Sequence, residues 1–345
     1  MILLIGNKLS NRGLNPTSIE KLEENLSSNY SIRSASDKQS SFIRIIEMLS
    51  LVFLYRKICK LIIVDVFGTK AFYFSCLIIF YSKFKNIPVL PVFRGGSLLE
   101  RYNKNTKLFK YIFNKTILVI CPSPFLSDFF SSRKIKTQII HNYIDLKKYP
   151  FKYRERLKPE LLWVRSIHSI YNPVMAIYVL KKILEYYPQA RLSMVGPIKD
   201  NTIELIDKLI FKWNLQKKVT LTGKLEKKEW IELSKDFDIF LNTTNLDNQP
   251  VSIIEAMALG LPIISTNAGG IPNMLIHNKT AKLVEINDVN GMVDCIKEYL
   301  SDNIGRMEIV KNARELVESE FNQDKVIPQW VDIIEKYTLP SNLSK

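Results

Sequence analysis

The sequence predicts two tandem doubly wound α/β domains. Short apolar runs alternate with longer amphipathic ones along almost the whole chain, and strand–helix alternation of this kind implies parallel pairing. The short runs are apolar at every position rather than at every second one, as a sheet covered on both faces requires. The length of 345 residues suits two domains at roughly 100–200 residues each.

The first series opens with Met1–Ile5, a buried strand that stops at Gly6. After a polar loop, Thr17 and Glu20 form the capping-box start of the helix IEKLEENL. Leu61–Val64, Pro88–Val92 and Thr116–Ile120 read as further strands, with helices near 39–58, 70–84, 99–114 and 123–132, and Gln138–His141 closes the series. Residues 142–160 are polar, aromatic and proline-marked, and read as a linker. The alternation restarts with strand Leu161–Val164 and a helix over Pro173–Tyr187. Strands at Arg191–Val195, Val219–Thr222, Asp238–Leu241 and Pro262–Ser265 follow, separated by helices, and the tail from 306 to 337 is helical only. No GxGxxG fingerprint occurs, which disfavours a dinucleotide-binding dehydrogenase.

Composition is that of a globular chain, 46% apolar and 24% charged, which excludes low-complexity, collagen-like and mainly disordered classes. The balance of 49 Lys+Arg against 34 Asp+Glu gives net +15. Residues 1–150 hold 23 of those cations and 9 of the anions, so nearly all the excess lies in the first part. Such asymmetry signals a partner and says nothing of the fold. It has three readings: a lysine-rich solvated surface, nucleic acid, or anionic lipid. No nucleic-acid module accompanies the charge, so no nucleic-acid partner is expected. The segments Arg44–Lys60 and Arg101–Lys115 mix cations with Phe, Tyr, Leu and Ile, as interfacial helices do. The four cysteines sit in apolar runs without a CxxC pair, the pattern of buried thiols in a reducing cytosol. The longest uncharged stretch, Ala71–Ser82, has 12 residues, too few to span about 30 Å of hydrocarbon. With no basic segment ahead of the first apolar run to mark a signal peptide, the expected place is the cytoplasm, peripheral at the inner face of the cell membrane.

The most informative stretch is DNQPVSIIEAMALGLPIISTNAGGIPN, Asp247 to Asn273. Asp247 follows the strand DIFL and the glycine pair follows PIIS, which puts both beyond strand carboxyl ends, where open parallel sheets bind ligands. A helix start and exposed glycine amides favour phosphate. A carboxylate beside them suits sugar hydroxyls instead. Phosphate and sugar recognition at one edge points to a nucleotide-sugar.

This stretch resembles the donor-site motif of retaining GT-B glycosyltransferases of family 4, the group 1 glycosyl transferases. EAMALGLP (Glu255–Pro262) and GGIP (Gly269–Pro272) match that pattern as they stand. IIHNYID (Ile139–Asp145), CPSPFLSDFF (Cys121–Phe130), LLWVRSIHSIYNP and YPQARLSMVGP (Tyr187–Pro197) resemble other family segments in order. The resemblance implies the GT-B fold, two Rossmann-like domains facing a central cleft. It implies an acceptor domain over 1–150, a nucleotide-sugar donor domain over 151–322, and a C-terminal helix at 323–345 crossing back to the first domain.

By the same resemblance Glu255 holds the donor ribose, and Asp247, aspartate where the family has glutamate, lies by the donor sugar and the reacting centre. Asn248 and Gln249 offer backbone amides to sugar hydroxyls, and Gly269, Gly270 and Ile271 lie near the sugar and diphosphate. Arg165 takes the arginine place of the diphosphate clamp, but the lysine that usually follows is missing, which leaves Tyr171 and Lys224 as further candidates. Arg94 stands where the family often has a histidine that touches the donor sugar, which makes it a catalytic candidate beside Asp247 and Arg165, and Gly13 stands where the chain approaches donor phosphate.

The implied function is retaining, metal-independent sugar transfer from a UDP- or GDP-sugar to a cell-surface glycan or lipid-linked acceptor, with no cofactor and no metal ligand. The alternatives are a GT-B phosphorylase or epimerase, which no residue supports, and a non-catalytic nucleotide-sugar-binding protein, which the departures at 247, 94 and the missing lysine favour.

Overall fold

The computed structural model describes residues 1–12, 15–114 and 116–338. The chain divides into two units, Met1–Asn142 with Asp324–Lys345, and Tyr143–Gln323.

In the first unit the order is β1 (Ile2–Ile5), α1 (Ser18–Leu26), β2 (Ile32–Ala35), α2 (Ser41–Tyr55), β3 (Leu61–Phe67), α3 (Ala71–Phe84), β4 (Val89–Arg94), α4 (Leu98–Lys104), α5 (Thr106–Phe113), β5 (Val119–Cys121), α6 (Pro124–Ser131) and β6 (Thr137–Ile139). Among the described residues the strands form one six-stranded parallel sheet, ordered β2-β1-β3-β4-β5-β6. The order reverses beside β1. Right-handed crossovers therefore put α1 on one face and α2, α3 and α5 on the other.

The second unit runs β7 (Glu160–Val164), α7 (Pro173–Ile183), β8 (Arg191–Val195), α8 (Thr202–Lys212), β9 (Val219–Gly223), α9 (Lys227–Leu233), β10 (Ile239–Asn242), α10 (Val251–Ala258), β11 (Ile263–Thr266), β12 (Lys282–Val284), α11 (Val289–Ser301) and α12 (Asn303–Leu316). The sheet is again six-stranded and parallel among the described residues, ordered β12-β11-β10-β7-β8-β9. Its two halves wind away from each other at β7 and β10, the switch point. Leu161 and Trp163 pack into one core and Leu162 into another, so β7 is covered on both faces, as its unbroken apolar run requires. The last helix, α13 (Gln323–Thr338), follows, and from Asp324 it belongs to the first unit, where the Tyr30 hydroxyl donates to Glu335 at 3.4 Å.

The structure adds two strands to the expected set, β2 and β12, and splits the helix read over 99–114 at Asn105. The Asn105 side chain accepts from the Leu108 N–H at 3.0 Å and caps α5. The stretch read as a linker is built into the second unit: Tyr149 and Arg154 are buried, and the Arg154 guanidinium donates to the carbonyls of Ser234, Phe237, Leu259 and Gly260 at 3.0 Å each.

Candidate active site

The carboxyl ends of β7 and β10 lie side by side at the switch point of the second unit, the place where a parallel sheet leaves a crevice for ligand. Arg165 leaves β7 there. Its N–H donates to the Val195 carbonyl at 3.0 Å. A β-carbon on Gly196, at φ +151°, would stand 1.8 Å from the Arg165 carbonyl oxygen, so only glycine lets the end of β8 pass so close. The Arg165 guanidinium forms an ion pair with Asp247, which follows β10. It also lies 4.7 Å from the centre of the Tyr171 ring. Both charged side chains are largely buried, 19% and 14% exposed. Burial pulls the Arg165 guanidinium below its ordinary pKa, while the Glu255 carboxylate opposes the shift. Its Nε is buried and has no hydrogen-bond partner among the described residues.

The loop after β11 is fastened to the loop after β10. The Gly270 N–H donates to the Asp247 carbonyl at 2.8 Å. Gly269 sits at φ +59°, where a β-carbon would come within 2.1 Å of that same carbonyl oxygen. Ile271 is fully buried just beyond. Asp247 Oδ1 accepts from the Asn248 N–H at 2.8 Å, and Asn248 and Gln249 are themselves buried. The helix α10 starts next, from Pro250 with no side-chain cap. Its first turn carries Ser252, whose Oγ is buried and has no hydrogen-bond partner among the described residues. An uncapped helix start presents N–H groups to an anion.

One turn further along α10, Glu255 is 2% exposed. Its Oε1 accepts from the Tyr149 hydroxyl at 2.7 Å and pairs with Lys227 Nζ. Lys227 also lies 5.5 Å from the Trp230 ring centre. Burial and the Glu255 charge together drive the Tyr149 hydroxyl pKa upward, so it stays a donor.

Arg165, Tyr171, Asp247, Asn248, Gln249, Glu255, Gly269, Gly270 and Ile271 are thus drawn together around three neighbouring strand ends, those of β7, β10 and β11, and one helix. Lys224 follows β9, the edge strand, and is exposed. In the first unit, Arg94 donates Nε to Asp65 Oδ1 at 2.9 Å and Nη1 to Asn142 Oδ1 at 3.0 Å. Gly13 lies outside the described residues. The sequence reading missed Tyr149, Lys227, Ser252, Gly196 and Asp65. For Gly196 a signal existed, since it ends the strand LSMV as Gly6 ends MILLI. Lys227 is one of two lysines in LEKKEW, with nothing to single it out.

Comparison with known proteins agrees with this geometry. Residues 147–316 match the family of glycosyl transferases group 1. The chain is 26% identical over 207 residues to N-acetyl-alpha-D-glucosaminyl L-malate synthase of Bacillus anthracis, covering 57% of this chain and 52% of that protein. It is 24% identical over 217 residues to an Escherichia coli UDP-Gal:alpha-D-GlcNAc-diphosphoundecaprenol alpha-1,3-galactosyltransferase, covering 58% and 55%. The match therefore spans about half the length of either relative. The fold of Anabaena HepE, solved with UDP-glucose, superposes with a TM-score of 0.76 at 14% identity over 97% of this chain and 99% of that one. Residues 147–316 thus belong to the glycosyl transferases group 1 family, and the chain has the GT-B fold.

Proposed function

We propose that this chain is a retaining glycosyltransferase that moves a sugar from a UDP- or GDP-sugar to a cell-surface glycan or lipid-linked acceptor, at the inner face of the cell membrane. The observation that carries the reading is the meeting of Arg165 and Asp247 at the β7–β10 switch point, beside the uncapped start of α10. Breaking a glycosyl–phosphate bond builds negative charge on the departing diphosphate, and fixed donors in a dry site stabilise it. Arg165, the first turn of α10 and the Gly269 amide are such donors. A diphosphate competes with Asp247 for Arg165, and the released carboxylate then accepts hydroxyl groups of the transferred sugar. Glu255, held by Tyr149 and Lys227, accepts the ribose hydroxyls. These cations and amides carry the leaving-group charge, so the reading is metal-independent.

Both relatives carry an alpha linkage in their names, which supports retention from an alpha-linked donor. The diphosphoundecaprenol acceptor named for the galactosyltransferase supports a lipid-linked acceptor here. The non-catalytic reading is favoured by the shorter Asp247 and by the absence of lysine between Arg165 and Asn172.

The test is a panel of UDP- and GDP-sugars with lipid-linked acceptors. We expect one donor to be consumed, and Glu255→Ala to weaken nucleotide binding about 10-fold or more, the worth of a lost charged hydrogen bond. Nucleotide-sugar binding without consumption would establish the binding protein instead. Unchanged affinity in Glu255→Ala would remove the ribose role.

A further inference from the structure

Two neighbouring helices of the first unit, α2 and α3, are apolar on the side turned away from the sheet. On α3, Tyr73, Leu77, Phe80 and Phe84 recur at helical spacing and are each half or more exposed, while Phe72, Cys76 and Ile79 face the core. On α2, Ile46 and Phe53 are likewise exposed, against buried Met48 and Val52. A helix apolar on all sides belongs in a core or against lipid. Side chains of about 150–250 Å² half exposed along two helices reach or exceed the about 300–600 Å² of the largest patch on a typical monomer.

The charge around this patch has one sign. Residues 41–85 contain the cations Arg44, Arg56, Lys57, Lys60, Lys70, Lys83 and Lys85 and only two anions, Glu47 and Asp65. Asp65 is buried, and Glu47 accepts from the Ser36 hydroxyl. Two of the cations lie on the exposed rings themselves, Arg56 at 4.1 Å from the centre of Phe53 and Lys85 at 4.7 Å from that of Phe84. A second copy seated by two-fold symmetry would set this rim against itself. An anionic bilayer satisfies both the rings and the rim. In the segment 101–114, Phe109, Ile112 and Phe113 of α5 are buried and Tyr111 is exposed, so the broader exposed apolar face is that of α2 and α3.

We propose that the outer faces of α2 and α3 dock this chain on an anionic lipid bilayer, the rings at the acyl boundary and Arg56, Lys57, Lys60, Lys70 and Lys85 at headgroup phosphates. The proposal deepens the membrane-surface reading above and rests on it. The test is flotation of the full chain with vesicles of phosphatidylcholine, with and without phosphatidylglycerol. Binding is expected only with phosphatidylglycerol and falls as salt rises. Leu77→Glu with Phe80→Glu abolishes it, and Lys57→Ala and Lys60→Ala each weaken it about fivefold. Unchanged thermal unfolding and nucleotide affinity show the variants folded, and Leu77→Ser with Phe80→Ser serves if the glutamates fail that check. Equal flotation of wild type and apolar-face variants overturns the α2–α3 surface and leaves the membrane reading standing. Flotation of neither, with donor transfer intact, overturns the docking proposal together with the membrane reading and leaves the sugar-transfer reading standing. A dimer that the Leu77/Phe80 variant dissociates makes the occupant a second copy.

Discussion

Arg94 was placed by resemblance near the reacting sugar, and the structure gives it a second task. It neutralises Asp65, which is 5% exposed and whose carboxyl is pushed up by burial and pulled down by the Arg94 charge. Breaking a buried pair from one side leaves an uncompensated charge. Arg94→Ala is expected to lower the unfolding free energy of the first unit by about 3–5 kcal/mol in urea denaturation. Replacing both partners, Arg94→Met with Asp65→Leu, recovers most of that loss. The double variant then separates the two tasks: stable but slow in sugar transfer means that Arg94 also meets substrate, whereas stable and active takes it out of the catalytic set. The same pair shows what sequence hides. Asp247 and the glycine pair were legible because their spacing lies within one stretch. Tyr149 reaches Glu255 from 106 residues away and Lys227 from 28, and only the wound sheet brings them in.

At the scale of elements, the helix start at Thr17 was legible in full. The Thr17 side chain accepts from the Glu20 N–H, and Glu20 accepts from the Thr17 N–H at 2.7 Å. Glu20 does more than cap. Its carboxylate also accepts from the N–H groups of Leu9 and Ser10 at 3.0 Å each, gathering the segment after β1. Burial raises its pKa, but the bonds from Leu9, Ser10 and Thr17 outweigh burial and bring it from 4.5 down to about 2. A depressed carboxylate contributes stability above its unfolded value and loses it as pH falls toward the folded one. Glu20→Gln is therefore expected to cost about 0.5–2 kcal/mol near neutral pH, and the gap from wild type should close between pH 4.5 and about 2. A gap constant over that range in denaturation curves would show that the charge is not what organises the segment. The strands that escaped the sequence reading, β2 and β12, are edge strands. IRSA and KLV lack the long apolar run that burial on both faces demands of a central strand such as LIIVDVF.

At the scale of the whole chain, the division into two units, with Arg165, Asp247 and Glu255 in the second, gives a thermodynamic signature. Unfolding free energy rises with ligand by about 2.7 kcal/mol at a hundred times Kd, and only for the unit that holds the site. Arg165, Asp247 and Glu255 all belong to the second unit. UDP or GDP is therefore expected to raise the unfolding temperature of that unit and leave the first where it was. The tryptophans allow the assignment. Of the four in the sequence, Trp163, Trp213 and Trp230 lie in the second unit and Trp330, on α13, in the first. In Trp330→Phe, tryptophan fluorescence follows the second unit alone, while far-ultraviolet dichroism follows both. A nucleotide-dependent shift in the fluorescence transition, with a second dichroism transition that stays still, places the donor in the second unit. One shared transition that shifts as a whole means that the units unfold together and that the site's stabilisation spreads through both. No shift with either nucleotide removes the donor reading of Arg165, Asp247 and Glu255.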